Sequence, residues 1–326
     1  MMDRRLVIGS VLAAGLAGHA KGAERPARLP AWPPREGMPL WPGRPPGARS
    51  RLPTYAPSMN GDAGHRQLWL RGIATPMLHV YRPAKPNGIG ILSIPGGGYG
   101  FLSVQNEGMD VARVLGAVGF TLFVLSYRLP SEGWDAQADV PLQDAQRAMR
   151  LIRANAAGFG VDPVRTGILG FSAGGHLAAS LATGHDDAVY RPIDDADRQS
   201  ARPAFAGLIY PVTTLRDPFT HRGSRDALLG PAPAAALIDR RSPLLHVTDR
   251  TPPCFLVHAI DDLVVPVECS TGWVAACRAA GVPVAAQLLE QGGHGFGMQL
   301  PDSNFGALWP QAFARWARAH GGRPTP

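Results

Sequence analysis

The chain has 326 residues, of which 45% are hydrophobic and 17% are charged, and its formal net charge is +7. This composition is typical of a globular protein and excludes a disordered or fibrous chain, and the length allows a core that needs no disulfide or metal. The positive charge comes almost entirely from scattered arginines, since Lys21 and Lys85 are the only lysines. Nucleic-acid binding needs clustered cations, so we expect no nucleic-acid partner.

The first twenty residues have the pattern of an export signal. Arg4 and Arg5 precede an uncharged stretch, 6–18, that ends in small residues before a cleavage position after Ala20. The stretch is too short to cross a bilayer comfortably, and no later segment is long enough. The arginine pair also permits the twin-arginine route. We therefore expect a signal peptide over 1–20 and a periplasmic or secreted protein.

Residues 21–62 are predicted to form an N-terminal arm. The segment is rich in proline, glycine and arginine, and proline at this density is expected to prevent regular secondary structure. It also contains Trp32 and Trp41, whose side chains are unfavourable in water. We therefore expect an extended arm packed on the domain rather than a flexible leader, and one folded domain over 63–326.

Apolar runs of strand length alternate with helical patterns through the rest of the chain. Predicted strands are Met77–Tyr81, Ile89–Ile94, Thr121–Ser126, Thr166–Gly170, Phe205–Tyr210, Cys254–Ala259 and Val284–Leu289, and predicted helices are Glu107–Val118, Pro141–Ala156, Ala173–Ala182, Pro266–Ala280 and Phe305–His320. The alternation predicts one open, mostly parallel α/β sheet with helices on both faces. In such sheets the functional side chains follow the carboxyl ends of the strands.

The strongest local motif is the segment Gly170-Phe171-Ser172-Ala173-Gly174, which joins a predicted strand to a predicted helix. An abrupt strand-to-helix turn holds the central residue in a strained conformation and leaves no room for side chains two positions before and after it. The hydroxyl also lies at the positive end of the helix dipole. The pattern therefore predicts that Ser172 is a nucleophile.

A serine hydroxyl needs a base to take its proton and a carboxylate to orient that base. In enzymes whose nucleophilic serine stands at such a turn, the acid follows the serine along the chain and the histidine follows the acid. Only two of the ten histidines follow the plausible acids, and His320 ends the last predicted helix, whereas His294 lies among glycines directly after a strand. His294 is therefore the predicted base. The acid is expected after Cys254–Ala259, where Asp261 and Asp262 both occur, one to orient the base and the other to cap a turn.

Backbone amides that stabilise a developing oxyanion are predicted in a glycine run. Pro95-Gly96-Gly97-Gly98-Tyr99 follows an early strand, and consecutive glycines let the backbone approach a substrate closely. Gly97 and Gly98 are the candidate donors, together with the amide of Ala173. No phosphate-binding or dinucleotide-binding glycine motif is present, and the cysteines (Cys254, Cys269 and Cys277) lack metal-site spacing. We expect no metal and no organic cofactor.

Other polar residues near these motifs are predicted to have structural roles. His176, one helical turn after Ser172, is expected to pack or support the site, and His258 is expected to be a core residue inside its strand. Glu107 is predicted to stabilise the start of its helix. Trp134 and the stretch 213–251 are left open as residues that line or cover the pocket.

These motifs together resemble the acetyl-esterase/carboxylesterase branch of the α/β hydrolases, near the acetylxylan-esterase-like and hormone-sensitive-lipase-like groups. The resemblance covers Met77 to Phe296 and rests on the glycine run, the serine turn, Tyr127-Arg128-Leu129-Pro130, Asp262-x-x-Val265-Pro266 and Gly293-His294-Gly295-Phe296. In that pattern the aspartate four residues before the proline is catalytic, which favours Asp262 over Asp261. Hormone-sensitive-lipase-like members carry histidine before the three glycines, whereas Pro95 stands here, which favours the acetyl-esterase-like subgroup.

The resemblance implies an α/β-hydrolase catalytic domain that acts as a serine carboxylic-ester hydrolase. The expected substrate is a small ester or acylated saccharide, such as acetylated xylan, cleaved through an acyl-enzyme. The alternatives are a serine peptidase, a general short-chain carboxylesterase or lipase, and a catalytically inactive binding protein on the same fold.

Overall fold

The computed structural model describes residues 30–61 and 66–321, and the predicted signal peptide over 1–20 lies outside them. The strands are β1 Gly37–Pro39, β2 Ala56–Asn60, β3 Gln67–Arg71, β4 Met77–Tyr81, β5 Gly90–Ile94, β6 Thr121–Ser126, β7 Thr166–Phe171, β8 Ala206–Ile209, β9 Cys254–Ala259 and β10 Val284–Leu289. The helices are α1 Asp110–Ala117, α2 Val140–Ala154, α3 Ala156–Phe159, α4 Ser172–Thr183, α5 Arg222–Leu229, α6 Ala235–Arg240, α7 Glu268–Ala279 and α8 Trp309–His320. Within the described residues, no helix is long and apolar enough to cross a membrane.

Eight strands form one sheet in the order β1-β4-β6-β5-β7-β8-β9-β10. Every neighbouring pair from β6 to β10 is parallel, and β4 is antiparallel to both of its neighbours. The seven predicted strands correspond to β4 through β10. The mostly parallel sheet predicted from the alternating runs is therefore confirmed.

Both faces of the sheet are covered by helices. Successive residues of β7 point to opposite faces, so Ile168 belongs to one buried apolar cluster and Leu169 to the other. The first cluster includes Leu177 of α4 and Trp273 of α7, and the second includes residues of α1 and α8. Because neither face meets water, the central strands are continuous apolar runs rather than alternating ones.

The expectation that the proline-rich arm lacks regular structure is wrong for two segments. β1 pairs with β4 at the edge of the main sheet, where a proline does not interrupt a ladder between two strands. β2 pairs with β3 and contains Pro57 opposite Leu70. The backbone N–H and C=O of Leu70 both bond to Leu102, so Pro57 is not needed as a donor at that position.

A buried ion pair fastens the arm to the domain. Arg128 and Asp144 have fully buried side chains that lie 2.7 Å apart, and Asp144 also accepts a hydrogen bond from Nε1 of Trp41 at 2.8 Å. The Arg128 guanidinium lies over the rings of Trp41 and Trp134 and donates to the carbonyl of Pro46. The arm therefore adds further hydrogen-bond partners to an ion pair buried in the domain.

Removing the charge of Asp144 tests this arrangement. We expect Asp144→Asn to lower the free energy of unfolding by about 3 to 5 kcal/mol, because Arg128 is left as an uncompensated buried charge. Chemical denaturation followed by tryptophan fluorescence measures the change. The matched control is Asp195→Asn, which removes the same charge from a pair with Arg198 whose side chains are 90% and 84% exposed. Equal stability of the two variants would contradict the anchoring role.

Candidate active site

The strand-to-helix turn places Ser172 at the first position of α4. Ser172 has φ +52°, in the left-handed region that non-glycine residues rarely adopt. A Cβ atom on Gly170 would lie 2.3 Å from the carbonyl oxygen of Gly174, and one on Gly174 would lie 2.1 Å from that of Ile94. Both positions therefore require glycine, and the tight packing holds the serine in its strained conformation.

The structure brings Ser172, His294 and Asp262 together, although they lie far apart in sequence. His294 Nδ1 lies 2.6 Å from Asp262 Oδ2, and its Nε2 lies 2.8 Å from Ser172 Oγ. An ionised carboxylate only accepts hydrogen bonds, so the Nδ1–H donates to Asp262 and Nε2 is left to accept from the serine hydroxyl. In this tautomer the imidazole can take the serine proton.

Asp262 is held as an anion. Its Oδ1 accepts hydrogen bonds from the backbone N–H groups of Val264 and Val265 at 2.8 and 2.9 Å. Burial raises the pKa of Asp262, but hydrogen bonds from His258, His294 and Val265 outweigh burial and hold the pKa well below its usual range. The carboxylate therefore stays charged at neutral pH and stabilises a protonated His294.

The neighbouring Asp261 bonds to the loop that precedes His294 and not to His294 itself. Its Oδ1 accepts hydrogen bonds from the backbone N–H groups of Gly292 and Gly293 at 2.9 and 2.8 Å. These residues directly precede His294, so Asp261 shapes the loop that carries the base. The structure thus separates the two carboxylates that the strand-end position alone left open.

His258 is buried in β9, as expected, but it also contacts the site. Its Nε2 faces two acceptors, Asp262 Oδ2 at 3.2 Å and the carbonyl of Val265 at 3.0 Å, so the Nε2–H donates. Its Nδ1 lies 2.8 Å from the hydroxyl of Ser270, which donates to it. The sequence carries one weak signal of the contact between His258 and Asp262, namely that the two residues are four positions apart.

The glycine run lies beside the serine. Gly97, Gly98 and Ser172 all line one cavity, and no protein acceptor within the described residues bonds to the amide N–H of Gly97 or Gly98. Ala173 lies in the first turn of α4, where backbone N–H groups have no acceptor inside the helix. The three predicted amides thus have no acceptor of their own within residues 30–61 and 66–321, as donors to a bound oxygen would require.

Glu107 lies in a first helical turn, as expected, but its carboxylate bonds to residues of the site and not to the amides of its own helix. It belongs to a π-helical turn, Gln105–Met109, before α1. Its carboxylate accepts hydrogen bonds from Gly96 N–H at 2.7 Å and from the Tyr210 hydroxyl at 2.8 Å. Burial raises the pKa of Glu107, while these two hydrogen bonds lower it. Such turns are frequent at functional sites, but their signal in sequence is weak.

His176 supports the glycine run from the other side. Its Nε2–H donates to the carbonyl of Arg241 at 2.8 Å, and its Nδ1 accepts from the hydroxyl of Tyr99 at 2.7 Å. Burial lowers the pKa of His176 to about 4, so the ring is neutral. His176 therefore positions the loop without touching the serine.

A cavity of about 320 Å³ opens beside Ser172 and His294. Trp69 and Phe101 line one part of it, with ring centroids 3.7 Å apart and planes within 13° of each other. His221, from the stretch 213–251, lines another part, whereas Trp134 packs against Arg128. Among the described residues, no group of three or more His, Cys, Asp or Glu side chains is arranged to hold a metal ion.

Comparison with known proteins identifies the family. The BD-FAE family profile matches residues 78–275, which is more than half of the chain. The chain belongs to the BD-FAE family. The structure of an acetyl ester-xyloside bifunctional hydrolase from Caldicellulosiruptor lactoaceticus is 33% identical, covers 88% of this chain and 96% of its own, and superposes with a TM-score of 0.72. The α/β-hydrolase resemblance inferred from the motifs is thus confirmed.

Two curated relatives of this BD-FAE chain are also similar. Acetylxylan esterase of Xylanibacter ruminicola is 32% identical over 221 residues, which are 67% of this chain and 43% of the relative. Endo-1,4-beta-xylanase B of Butyrivibrio fibrisolvens is 38% identical over 219 residues, which are 67% of this chain and 34% of the relative. The chain therefore spans less than half the length of each of these relatives.

The two adjacent aspartates can be separated by experiment. We expect Asp262→Asn to slow the reaction of Ser172 with a fluorophosphonate by about 100- to 10,000-fold, because the amide no longer holds His294 in the tautomer that accepts the serine proton. Asp261→Asn keeps an oxygen that accepts from Gly292 and Gly293, so its loss is expected to stay below about tenfold. Labelling rates of the two purified variants provide the measurement. Equal losses, or the reverse order, would refute the assignment of the acid.

Proposed function

We propose that the protein is a serine esterase that removes acetyl groups from acylated carbohydrate. The observation that carries this proposal is the hydrogen-bonded line from Asp262 through His294 to Ser172, beside a cavity lined by Gly97 and Gly98, whose amides bond to no acceptor in the part of the chain that the structure describes. This arrangement supplies each group that ester cleavage requires: a nucleophile, a base with an orienting carboxylate, and donors for the oxyanion.

The reaction follows from the positions of these groups. Ser172 Oγ attacks the ester carbonyl carbon while His294 Nε2 takes its proton, and the amides of Gly97, Gly98 and Ala173 bind the oxyanion that forms. Protonated His294 then gives its proton to the leaving alkoxide, and the alcohol departs from the acyl-enzyme. Water attacks the acyl-enzyme with His294 as base, and the carboxylic acid is released.

The lining of the cavity supports a carbohydrate on the alcohol side of the ester. Trp69 and Phe101 offer aromatic surface on which the apolar C–H face of a sugar ring can pack. Asn60 and Gln67 line the same cavity, so polar amide side chains lie beside the aromatic pair. The names of the relatives, acetylxylan esterase and acetyl ester-xyloside hydrolase, point to the same substrate class.

A substrate series tests the proposal. We expect release of acetate from acetylated xylan, and for 4-nitrophenyl esters a kcat/KM that is at least about tenfold higher for acetate than for octanoate, as the proposed acetyl specificity requires. Ser172→Ala is expected to lower activity by about four to six orders of magnitude and to abolish fluorophosphonate labelling. A preference for long acyl chains with no acetate released from xylan would overturn the substrate class. Cleavage of peptides in place of esters would favour a peptidase.

We also propose that residues 1–20 direct export to the periplasm or the medium. The support is Arg4-Arg5 followed by the uncharged stretch 6–18 and small residues before Ala20. In a Gram-negative host, we expect the purified secreted chain to begin at Lys21, as read by N-terminal sequencing. Replacement of Arg4 and Arg5 by lysines should block a twin-arginine route and spare a general secretory route. Recovery of the uncleaved chain in the cytoplasm would contradict export.

A further inference from the structure

His221 is a polar residue of the cleft that the hydrolytic mechanism does not use. It immediately precedes α5 and caps that helix, since its Nδ1 accepts a hydrogen bond from the backbone N–H of Ser224 at 3.2 Å. The hydroxyl of Ser224 lies 2.7 Å from the same nitrogen. A backbone N–H can only donate, so Nδ1 is the acceptor and the neutral ring carries its proton on Nε2.

The ring of His221 lies next to Gly98 of the glycine run. A Cβ atom built on Gly98 would come 3.8 Å from Cε1 of His221 and 3.9 Å from Ser224 Oγ, so the histidine borders the oxyanion donors directly. Burial and the charge of His294 lower the pKa of His221, while Asp262 raises it, and the net shift is downward. His221 is therefore neutral at neutral pH.

The Nε2–H of His221 is an unused donor in this cavity. Nδ1 is occupied by Ser224, whereas no acceptor within residues 30–61 and 66–321 is hydrogen-bonded to Nε2. His221 lines the cavity together with Ser172 and His294. A half-buried donor beside the nucleophile, with its tautomer set by the helix cap, is arranged to bind an oxygen of the substrate.

The chemistry of an acetyl ester indicates which oxygen this is. An acetyl group has one oxygen besides the bridging ester oxygen, and the amides of Gly97, Gly98 and Ala173 already match it. The bridging oxygen receives its proton from His294. A further donor in the cleft can therefore bond only to an oxygen in the alcohol portion of the substrate.

We propose that His221 is a specificity-determining residue whose Nε2–H donates a hydrogen bond to a hydroxyl or ring oxygen of the sugar that carries the acetyl group. This inference rests on the proposed deacetylation of carbohydrate. An alcohol without such an oxygen leaves the Nε2–H unpaired and desolvated in the cleft, which costs binding free energy. His221 thus selects a hydroxylated ring over an alkyl ring of the same size.

The test uses two acetates that differ in polarity but not in ring size. The full chain is assayed with monoacetylated methyl xylopyranoside and with cyclohexyl acetate. The ratio of the two kcat/KM values is then compared between wild type and His221→Asn. Asparagine is also a strong helix N-cap, so the variant keeps α5, while its shorter side chain removes the Nε2–H from its position in the cleft. We expect the ratio in favour of the xyloside to fall by about ten- to a hundredfold.

The matched control is His246→Asn, which makes the same change at an exposed histidine outside the cavity and is expected to leave the ratio unchanged. Thermal melting of both variants reports whether α5 is intact. If wild type cleaves the xyloside acetate, the carbohydrate function stands. In that case an unchanged ratio in His221→Asn, or an equal loss of kcat/KM on both acetates, would overturn the role of His221. If wild type is labelled at Ser172 but cleaves only cyclohexyl acetate, the carbohydrate function itself fails, and the inference fails with it.

Discussion

The hydrogen bonds of the buried Glu107 carboxylate join the two loops on which the site is built. Its Oε2 holds the amide of Gly96 at the start of the glycine run, and its Oε1 holds the hydroxyl of Tyr210. That hydroxyl accepts in turn from the amide of Gly297, in the loop after His294. One side chain therefore links the glycine run to the loop of the base, and its two hydrogen bonds only partly offset the desolvation that raises the pKa of Glu107.

Four histidines near the site differ in function because their hydrogen-bond partners differ. His176 and His221 are neutral rings, each held by a hydroxyl on Nδ1, and they use Nε2–H as a donor to a carbonyl or toward the cleft. His258 donates to Asp262 and receives from Ser270. His294 is the one of these four that contacts the hydroxyl of Ser172, the residue at the strand-to-helix turn, while its other nitrogen bonds to Asp262.

The N-terminal arm is part of the cleft as well as part of the fold. Its strand β2 pairs with β3, which carries Trp69, and Asn60 at the end of β2 lines the cavity beside the aromatic pair. The arm is held in place by β1 on the edge of the sheet and by Trp41 on the buried pair of Arg128 and Asp144. The part of the cavity wall formed by Asn60 and Trp69 therefore depends on contacts far from Ser172.

The amino-acid sequence by itself determined the features that depend on neighbouring residues. Continuous apolar runs predicted β4 through β10, and glycines two residues before and after Ser172 predicted the strained turn, because steric exclusion there is local. The expectation that functional side chains follow the carboxyl ends of strands then indicated His294 and the pair Asp261 and Asp262. The resemblance favoured Asp262 as the acid, and the tertiary structure added the contacts that distinguish it from Asp261. Only the tertiary structure joined Glu107 to Gly96 and Tyr210, placed His221 in the cleft and added β1 and β2 to sheets. Each of these depends on a hydrogen bond or strand pairing between residues distant in sequence, whose geometry a local pattern does not encode.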